Sequence, residues 1–71
     1  RVDSSREFRE ALDAAVDHVR ATAEAHEILP AVLGSRRDIL DFLAGRPSRL
    51  ESGWRVPLVG DYLSKARGSL P

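Results

Sequence analysis

Four arginines in the second half of this sequence are the residues best placed to do chemistry: Arg36, Arg37, Arg46 and Arg49. Each guanidinium offers a planar fork of donors that fits the oxygens of a phosphate or a carboxylate. Arg36 and Arg37 also begin a predicted helix, where unpaired backbone amides attract anions. We therefore predict that the four form one weak patch that contacts nucleic-acid phosphates. Pairing with acidic groups of the first helix or of an adjoining domain is the alternative, and the sequence leaves both open.

No arrangement typical of an active site or a metal centre accompanies these arginines. His18 and His26 are eight residues apart on one predicted helix, so they do not meet as a metal-binding pair. Asp38 and Asp41 share a helix face, and a solvated face explains them better than a metal site does. Cysteine is absent, and the glycines are too scattered for a phosphate-binding loop. We predict no catalytic residue and no cofactor in this chain, and we expect both histidines on a solvated face.

Length and charge indicate one small domain without strong affinity for nucleic acid. The 71 residues fall within the range of roughly 50–250 residues for a single domain. The net charge is zero, with four basic and seven acidic residues in 1–30 and the reverse in 31–71. A clearly basic domain is expected for strong binding. No apolar run approaches the ~20 residues that span a bilayer, so we predict no membrane contact. Because the chain begins with Arg, we expect a fragment of a longer protein.

A long amphipathic helix is the first element predicted to support the patch. Ser4 and Glu7 form a capping box, and the helix runs from there to about Ala25. Its apolar residues recur at three- and four-residue spacing and predict one buried stripe. The stripe consists of Phe8, Leu12, Ala15, Val16, Val19 and Ala23.

Helix breakers divide the following stretch into short pieces. Pro30 predicts a single helical turn or a buried connection. Ser35 and Asp38 form a second capping box at the start of a helix over residues 36–44, and Gly45 ends that helix in a left-handed conformation. The helix is predicted to bury Ile39, Leu40 and Leu43, with Phe42 at an edge.

A third capping box and a bend precede the last helix. Ser48 and Glu51 open one helical turn, and Gly53 allows the chain to bend. The pattern contains no strand-like alternation and no repeat. It predicts an all-α bundle of four to five helices, in which one long N-terminal helix is followed by shorter ones, and which is monomeric.

The last helix is predicted to start near Trp54 or Arg55 and to run to Arg67. Pro57 fits only its first turn, where a missing N–H is no loss. Gly60 lies inside it, and we attribute that glycine to the close approach of another helix. The apolar stripe of this helix consists of Leu58, Val59, Tyr62, Leu63 and Ala66.

Trp54 has two interpretations. It could stack on a nucleobase, as aromatic residues of single-strand binders do. It could instead be a core residue that covers the junction of the short helices, since a small bundle with few aromatic residues needs the area. The apolar neighbours of Trp54 favour the core, and Tyr62 is interpreted in the same way.

Two segments resemble the HRDC domain, a module of helicases and of the C-terminus of ribonuclease D. LPAVLGSRRDILDFLAG looks like the family's apolar-Pro-apolar entry followed by a Ser-capped short helix. GWRVPLVGDYL looks more like ribonuclease D than like RecQ-type helicases, and Gly-Trp-Arg is its most specific part. The resemblance covers residues 28–66, about half of the chain.

This resemblance implies a small helical domain of residues 1–71 at the C-terminus of a cytoplasmic enzyme. The domain would do no chemistry itself and would help to position structured RNA, such as tRNA 3′ ends, for a 3′–5′ exonuclease domain elsewhere in the chain. That catalytic domain would use divalent metal ions. RNA and the adjoining domains would be the partners. The alternatives are a structural docking module within the parent enzyme and the HRDC domain of a RecQ-type DNA helicase.

Overall fold

A computed structural model describes residues 6–70, and helical segments follow one another with no strand in that range. The α-helices are α1 (Arg6–Ala25), α2 (Pro30–Leu33), α3 (Arg36–Leu43) and α4 (Asp61–Gly68). Between α3 and α4 lie two single 3₁₀ turns, Arg49–Glu51 and Gly53–Arg55, and a π-helical turn, Val56–Gly60. The all-α prediction is confirmed.

The number of helices differs from the prediction of four to five. Within residues 6–70, three helices reach eight residues or more, namely α1, α3 and α4. The other helical pieces are single turns, because glycine, proline and capping serines recur too closely between Pro30 and Gly60 for longer helices to form.

The helix α1 has the predicted apolar stripe. Its buried side chains are Phe8, Leu12, Ala15, Val19 and Ala23, while Val16 is half-buried. At its C-terminal end the Ile28 amide donates to the Ala23 carbonyl (2.8 Å) and Glu27 adopts a left-handed φ of 57°. This is the hydrogen-bond pattern of a Schellman motif, with a non-glycine residue in the left-handed position. The predicted cap at Ser4 lies outside the described residues.

The helix α3 begins and ends close to the predicted positions. The Asp38 amide donates to Ser35 Oγ (3.2 Å) and the Ser35 amide donates to Asp38 Oδ2 (3.0 Å), which confirms the capping box. Gly45 has φ 79°, as predicted for the residue that ends this helix.

The buried face of α3 differs in one respect from the prediction. Phe42 is buried instead of lying at an edge, and Leu40 is only half-buried. The reason is a contact from α4, which the pattern of α3 alone does not reveal. The Arg67 guanidinium lies 4.2 Å over the Phe42 ring, and its Nη1 donates to the Phe42 carbonyl (3.3 Å). This cover removes the ring from solvent.

The last helical segment begins with the 3₁₀ turn Gly53–Arg55, where Gly53 itself has a left-handed φ of 84°, and it widens into the π turn before α4. The prediction that Gly60 permits a close helix–helix approach is wrong. A Cβ atom at Gly60 would lie 2.9 Å from Cγ1 of Val56, in the preceding turn of the same segment. The side chain that crowds Gly60 therefore belongs to the π turn itself.

One apolar core joins these pieces. The helix α1 packs against α2, α3 and α4. The short turns supply the fully buried residues Leu33, Leu50 and Val59, and α4 supplies Leu63. No helix in the described part of the chain is long and apolar enough to cross a membrane.

Candidate nucleic-acid interface

The exposed face of α3 brings two of the predicted arginines to one carboxylate. Arg37 Nε lies 3.3 Å and Arg46 Nε lies 3.1 Å from Oδ1 of Asp41. The turn at Gly45 places Arg46 there, because the Arg46 amide donates back to the Asp41 carbonyl (2.8 Å). The Arg37 side chain remains 80% exposed and that of Asp41 only 21%. Two guanidinium groups thus share one carboxylate at the protein surface.

Arg49 lies on one flank of α3, where local hydrogen bonds hold its turn in place. Ser48 Oγ donates to the Asp38 carbonyl (2.9 Å), and the Ser48 amide donates to Oε2 of Glu51 (3.2 Å), as the third capping box predicts. Arg49 Nε then lies 2.8 Å from Oδ2 of Asp38, and its Nη2 donates to the Ala31 carbonyl (2.8 Å). Arg49 therefore links the start of α3 to α2.

The carboxyl of Asp38 is the one described titratable group whose pKa clearly shifts. Partial burial raises the pKa of Asp38. Hydrogen bonds with the amide and hydroxyl of Ser35 and with Arg49, together with the charge of Arg49, lower the pKa by more than burial raises it. The pKa of Asp38 consequently lies below its ordinary value of 3.8. Asp38 is charged at neutral pH and neutralises Arg49.

Arg36 lies on the opposite flank of α3. Its Nη2 is 3.0 Å from Oδ1 of Asp13 on α1, and both side chains are exposed. Successive helical residues are about 100° apart, so Arg36 and Asp38 are separated by about 200° around α3. The structure therefore groups Arg37 with Arg46 and places Arg36 and Arg49 on either side of them.

Each of the four arginines has an aspartate partner, which reduces the charge of this face. Three aspartates, Asp13, Asp38 and Asp41, face four arginines. Exposed ion pairs contribute at most about 1 kcal/mol each, so a phosphate can compete for these guanidinium groups.

Trp54 is 48% exposed, and the prediction that it is a core residue is wrong. Leu50, which is fully buried, fills the junction that Trp54 was predicted to cover. The neighbouring core positions in the last segment belong to Val59 and Leu63. Trp54 lies four residues before Leu58, which is itself only half-buried, and the apolar residues around Trp54 in the sequence did not reveal its exposure.

Arg55 was absent from the predicted site, yet it contacts both Trp54 and α2. Its guanidinium lies 4.5 Å from the centre of the Trp54 ring, and its Nε donates to the Val32 carbonyl (3.2 Å). The Gly-Trp-Arg triplet that carried the resemblance therefore forms a surface feature. Arg49 and Arg55 both donate to carbonyls at the end of α2, so they lie near one another.

Histidines and acidic residues form no group that could hold a metal ion in the part of the chain that the structure describes. His26 is exposed, as predicted. His18 is half-buried, because its ring stacks on Tyr62 with centres 3.9 Å apart and planes within 7°. The solvated position predicted for His18 is therefore wrong, and Tyr62 is half-buried.

No family model, no curated protein and no solved structure matches this chain. The resemblance to the HRDC domain over residues 28–66 therefore stays a prediction, and so does the function that it implies.

Proposed function

We propose that this chain is a non-catalytic accessory domain that contacts nucleic-acid phosphates weakly through the exposed side of α3. One observation carries the proposal: Arg37 and Arg46 share the single carboxylate of Asp41 on an exposed face. Each guanidinium offers five donors in a planar fork that suits a phosphate. Arg36 and Arg49, at the flanks, would extend the contact along a strand.

The expected affinity is low. Each phosphate contacted on a single strand contributes about −0.7 to the slope of log K against log salt, so contacts from all four arginines would give about −3. Such binding suits a domain that is tethered to another nucleic-acid-binding unit, since tethering raises the local concentration to about the millimolar range. The HRDC resemblance supports a parent enzyme of the ribonuclease D type, in which this domain helps to position the 3′ end of a structured RNA.

The second candidate is a structural docking module, and the charge pairing favours it. Every arginine of the patch already contacts an aspartate, so carboxylates on another domain could replace these aspartates as the partners of the arginines. The exposed apolar residues Leu29 (73%) and Val32 (45%) would add contact area. A place in a RecQ-type DNA helicase is the further alternative for the parent enzyme.

Titration with a fluorescent stem-loop RNA that carries a single-stranded 3′ tail tests the proposal. Anisotropy measured between about 50 and 200 mM salt should give a slope near −3. The double variant Arg37→Gln/Arg46→Gln should weaken binding and reduce the slope by about 1.4. The matched control Arg6→Gln/Arg9→Gln removes the same charge from α1 and should leave the slope unchanged.

Two outcomes decide between the candidates, and a further titration bears on the parent enzyme. Equal losses in the two double variants would show a nonspecific charge effect and contradict the proposal. No binding at the lowest salt, combined with binding of an acidic domain of the parent enzyme, would favour docking. The same titration with DNA of matching sequence separates the two types of parent enzyme.

A further inference from the structure

Trp54 exposes about half of its surface in a domain that has little apolar area to spare. It is 48% exposed, and it is the single tryptophan of the chain. Core positions nearby are taken by Leu50 and Val59, so the indole contributes little to the core. Tryptophan is enriched at interfaces, because its ring is apolar and its indole N–H is polar.

Contacts on one side hold the indole in a defined orientation. The Arg55 guanidinium lies 4.5 Å from the ring centre, and the Val32 carbonyl accepts a hydrogen bond from Arg55 Nε (3.2 Å). The cation is thus itself anchored to α2, and it restricts the ring through a cation–π contact. A planar ring held in this way loses little conformational entropy when a second planar group stacks on it.

The charge around the ring indicates which kind of partner fits. Arg49 and Arg55 both reach the end of α2, through the Ala31 and Val32 carbonyls. Of these two cations, Arg49 has a carboxylate partner, Asp38, and its side chain is still 45% exposed. The indole contacts the Arg55 guanidinium, and Arg49 donates to the adjacent carbonyl of α2. This arrangement matches a nucleotide, which presents a planar base and a negative phosphate together.

We propose that Trp54 is a stacking platform for an unpaired nucleobase and that Arg49 contacts a neighbouring phosphate. The inference rests on the proposed function, and it adds that the nucleic acid must have a single-stranded segment. Tryptophan and arginine are also enriched in protein interfaces, so a protein partner is the competing occupant. The positive charge next to the ring favours the nucleotide.

Tryptophan fluorescence tests the stacking directly, because Trp54 is the single reporter in the chain. Titration of the 71-residue chain with an oligoadenylate of eight nucleotides should quench its emission along the same curve as the anisotropy of a labelled copy. A fully paired RNA duplex of equal charge should bind with little quenching. Both measurements belong at the lowest salt, where phosphate contacts are strongest.

Three variants separate stacking from general apolar contact. Trp54→Leu should weaken oligoadenylate binding by about 5- to 100-fold, the range expected when one base loses its aromatic partner. Trp54→Phe keeps a smaller π-face and should fall between Trp54→Leu and the unmodified chain. Leu29→Ser changes the most exposed large apolar residue, which has no π-face, and should alter affinity by less than about twofold.

The outcomes distinguish this inference from the proposed function. Binding without quenching, together with unchanged affinity of Trp54→Leu, would overturn stacking and leave phosphate contact intact. Equal weakening by Trp54→Leu and Leu29→Ser would also overturn it, in favour of an apolar protein-type surface. Absence of any binding by oligoadenylate and by stem-loop RNA would overturn both.

Discussion

The helix α1 and the segment between Pro30 and Gly60 build the same core in different ways. Five of the twelve buried apolar residues in the described range lie on α1, where one regular period places them all on a single face. Six of the other seven lie between Pro30 and Gly60, on short pieces that capping serines, prolines and left-handed residues hold in place, and Leu63 lies on α4. The regular spacing of apolar residues therefore orients α1 on the core, whereas local hydrogen bonds and turns fix the shape of the Pro30–Gly60 segment.

The largest test of this comparison is the loss of one core leucine from each region. Leu12→Ala in α1 and Leu50→Ala in the Arg49–Glu51 turn should each lower the free energy of unfolding by about 2–5 kcal/mol. Both leucines are buried, and the cost depends on the cavity and not on the regularity of the element. Chemical denaturation followed by circular dichroism measures both values. A cost below about 1 kcal/mol for Leu50→Ala would show that the short turn is not part of the core.

Gly60→Ala tests how the π turn is packed. The new Cβ would lie 2.9 Å from Cγ1 of Val56, so we expect a loss of about 1–3 kcal/mol in unfolding free energy. The double variant Val56→Ala/Gly60→Ala removes that methyl group and should recover most of the loss. If Val56→Ala brings no recovery, the crowding comes from elsewhere, as the original helix–helix interpretation held.

The Asp38 carboxyl should make the capping region sensitive to acid. Its pKa is lower in the folded protein than the ordinary 3.8, so its contribution is present above that pH and is lost as the pH falls through 3.8 and below. We expect Asp38→Asn to reduce the unfolding free energy by about 1 kcal/mol at pH 7, and the difference from the unmodified chain should shrink in acid. Denaturation curves between pH 7 and about pH 2 check this.

Asp13→Asn is the control for that measurement. Asp13 also pairs with an arginine of the patch, but both of those side chains are exposed. Its difference from the unmodified chain should be small at every pH. A difference for Asp38→Asn that grows as the pH falls would contradict the direction of its pKa shift.

The smallest change in unfolding free energy is expected at Trp54, which the sequence predicted to be a core residue. Trp54→Ala should lower the unfolding free energy by at most about 1 kcal/mol, because it removes an exposed ring and its contact with Arg55. The thermal midpoint should therefore stay close to that of the unmodified chain. A loss comparable to that of Leu50→Ala would return Trp54 to the core.

Local sequence signals predicted the backbone better than they predicted the side-chain surroundings. Serine and an acidic residue three positions later marked the starts of α3 and of the Arg49–Glu51 turn, since each box is complete within four residues. The burial of Phe42 could not be predicted in this way, because Arg67, which covers its ring, lies on α4 and is far from Phe42 in the sequence.

The candidate site shows the same limit. The sequence identified the four arginines and left their pairing open, but it did not indicate that Arg37 and Arg46 share Asp41. That arrangement depends on the path of the chain after Gly45. The apolar residues near Trp54 in the sequence favour a core position, but their number does not show which side of the helical segment each one occupies. The exposed indole and the role of Arg55 became visible only with the three-dimensional contacts.

The stack of His18 on Tyr62 has a consequence for the kinetics of folding. It joins α1 to α4, which are far apart along the chain, whereas the pieces from α2 to α4 contact near neighbours. Closing one long loop costs more entropy than closing any single short one, so we expect the short pieces to assemble before α1 docks on α4. In stopped-flow experiments, Tyr62→Leu should then speed unfolding and leave the refolding rate nearly unchanged. A slower refolding rate would instead place the meeting of the two ends of the chain in the transition state.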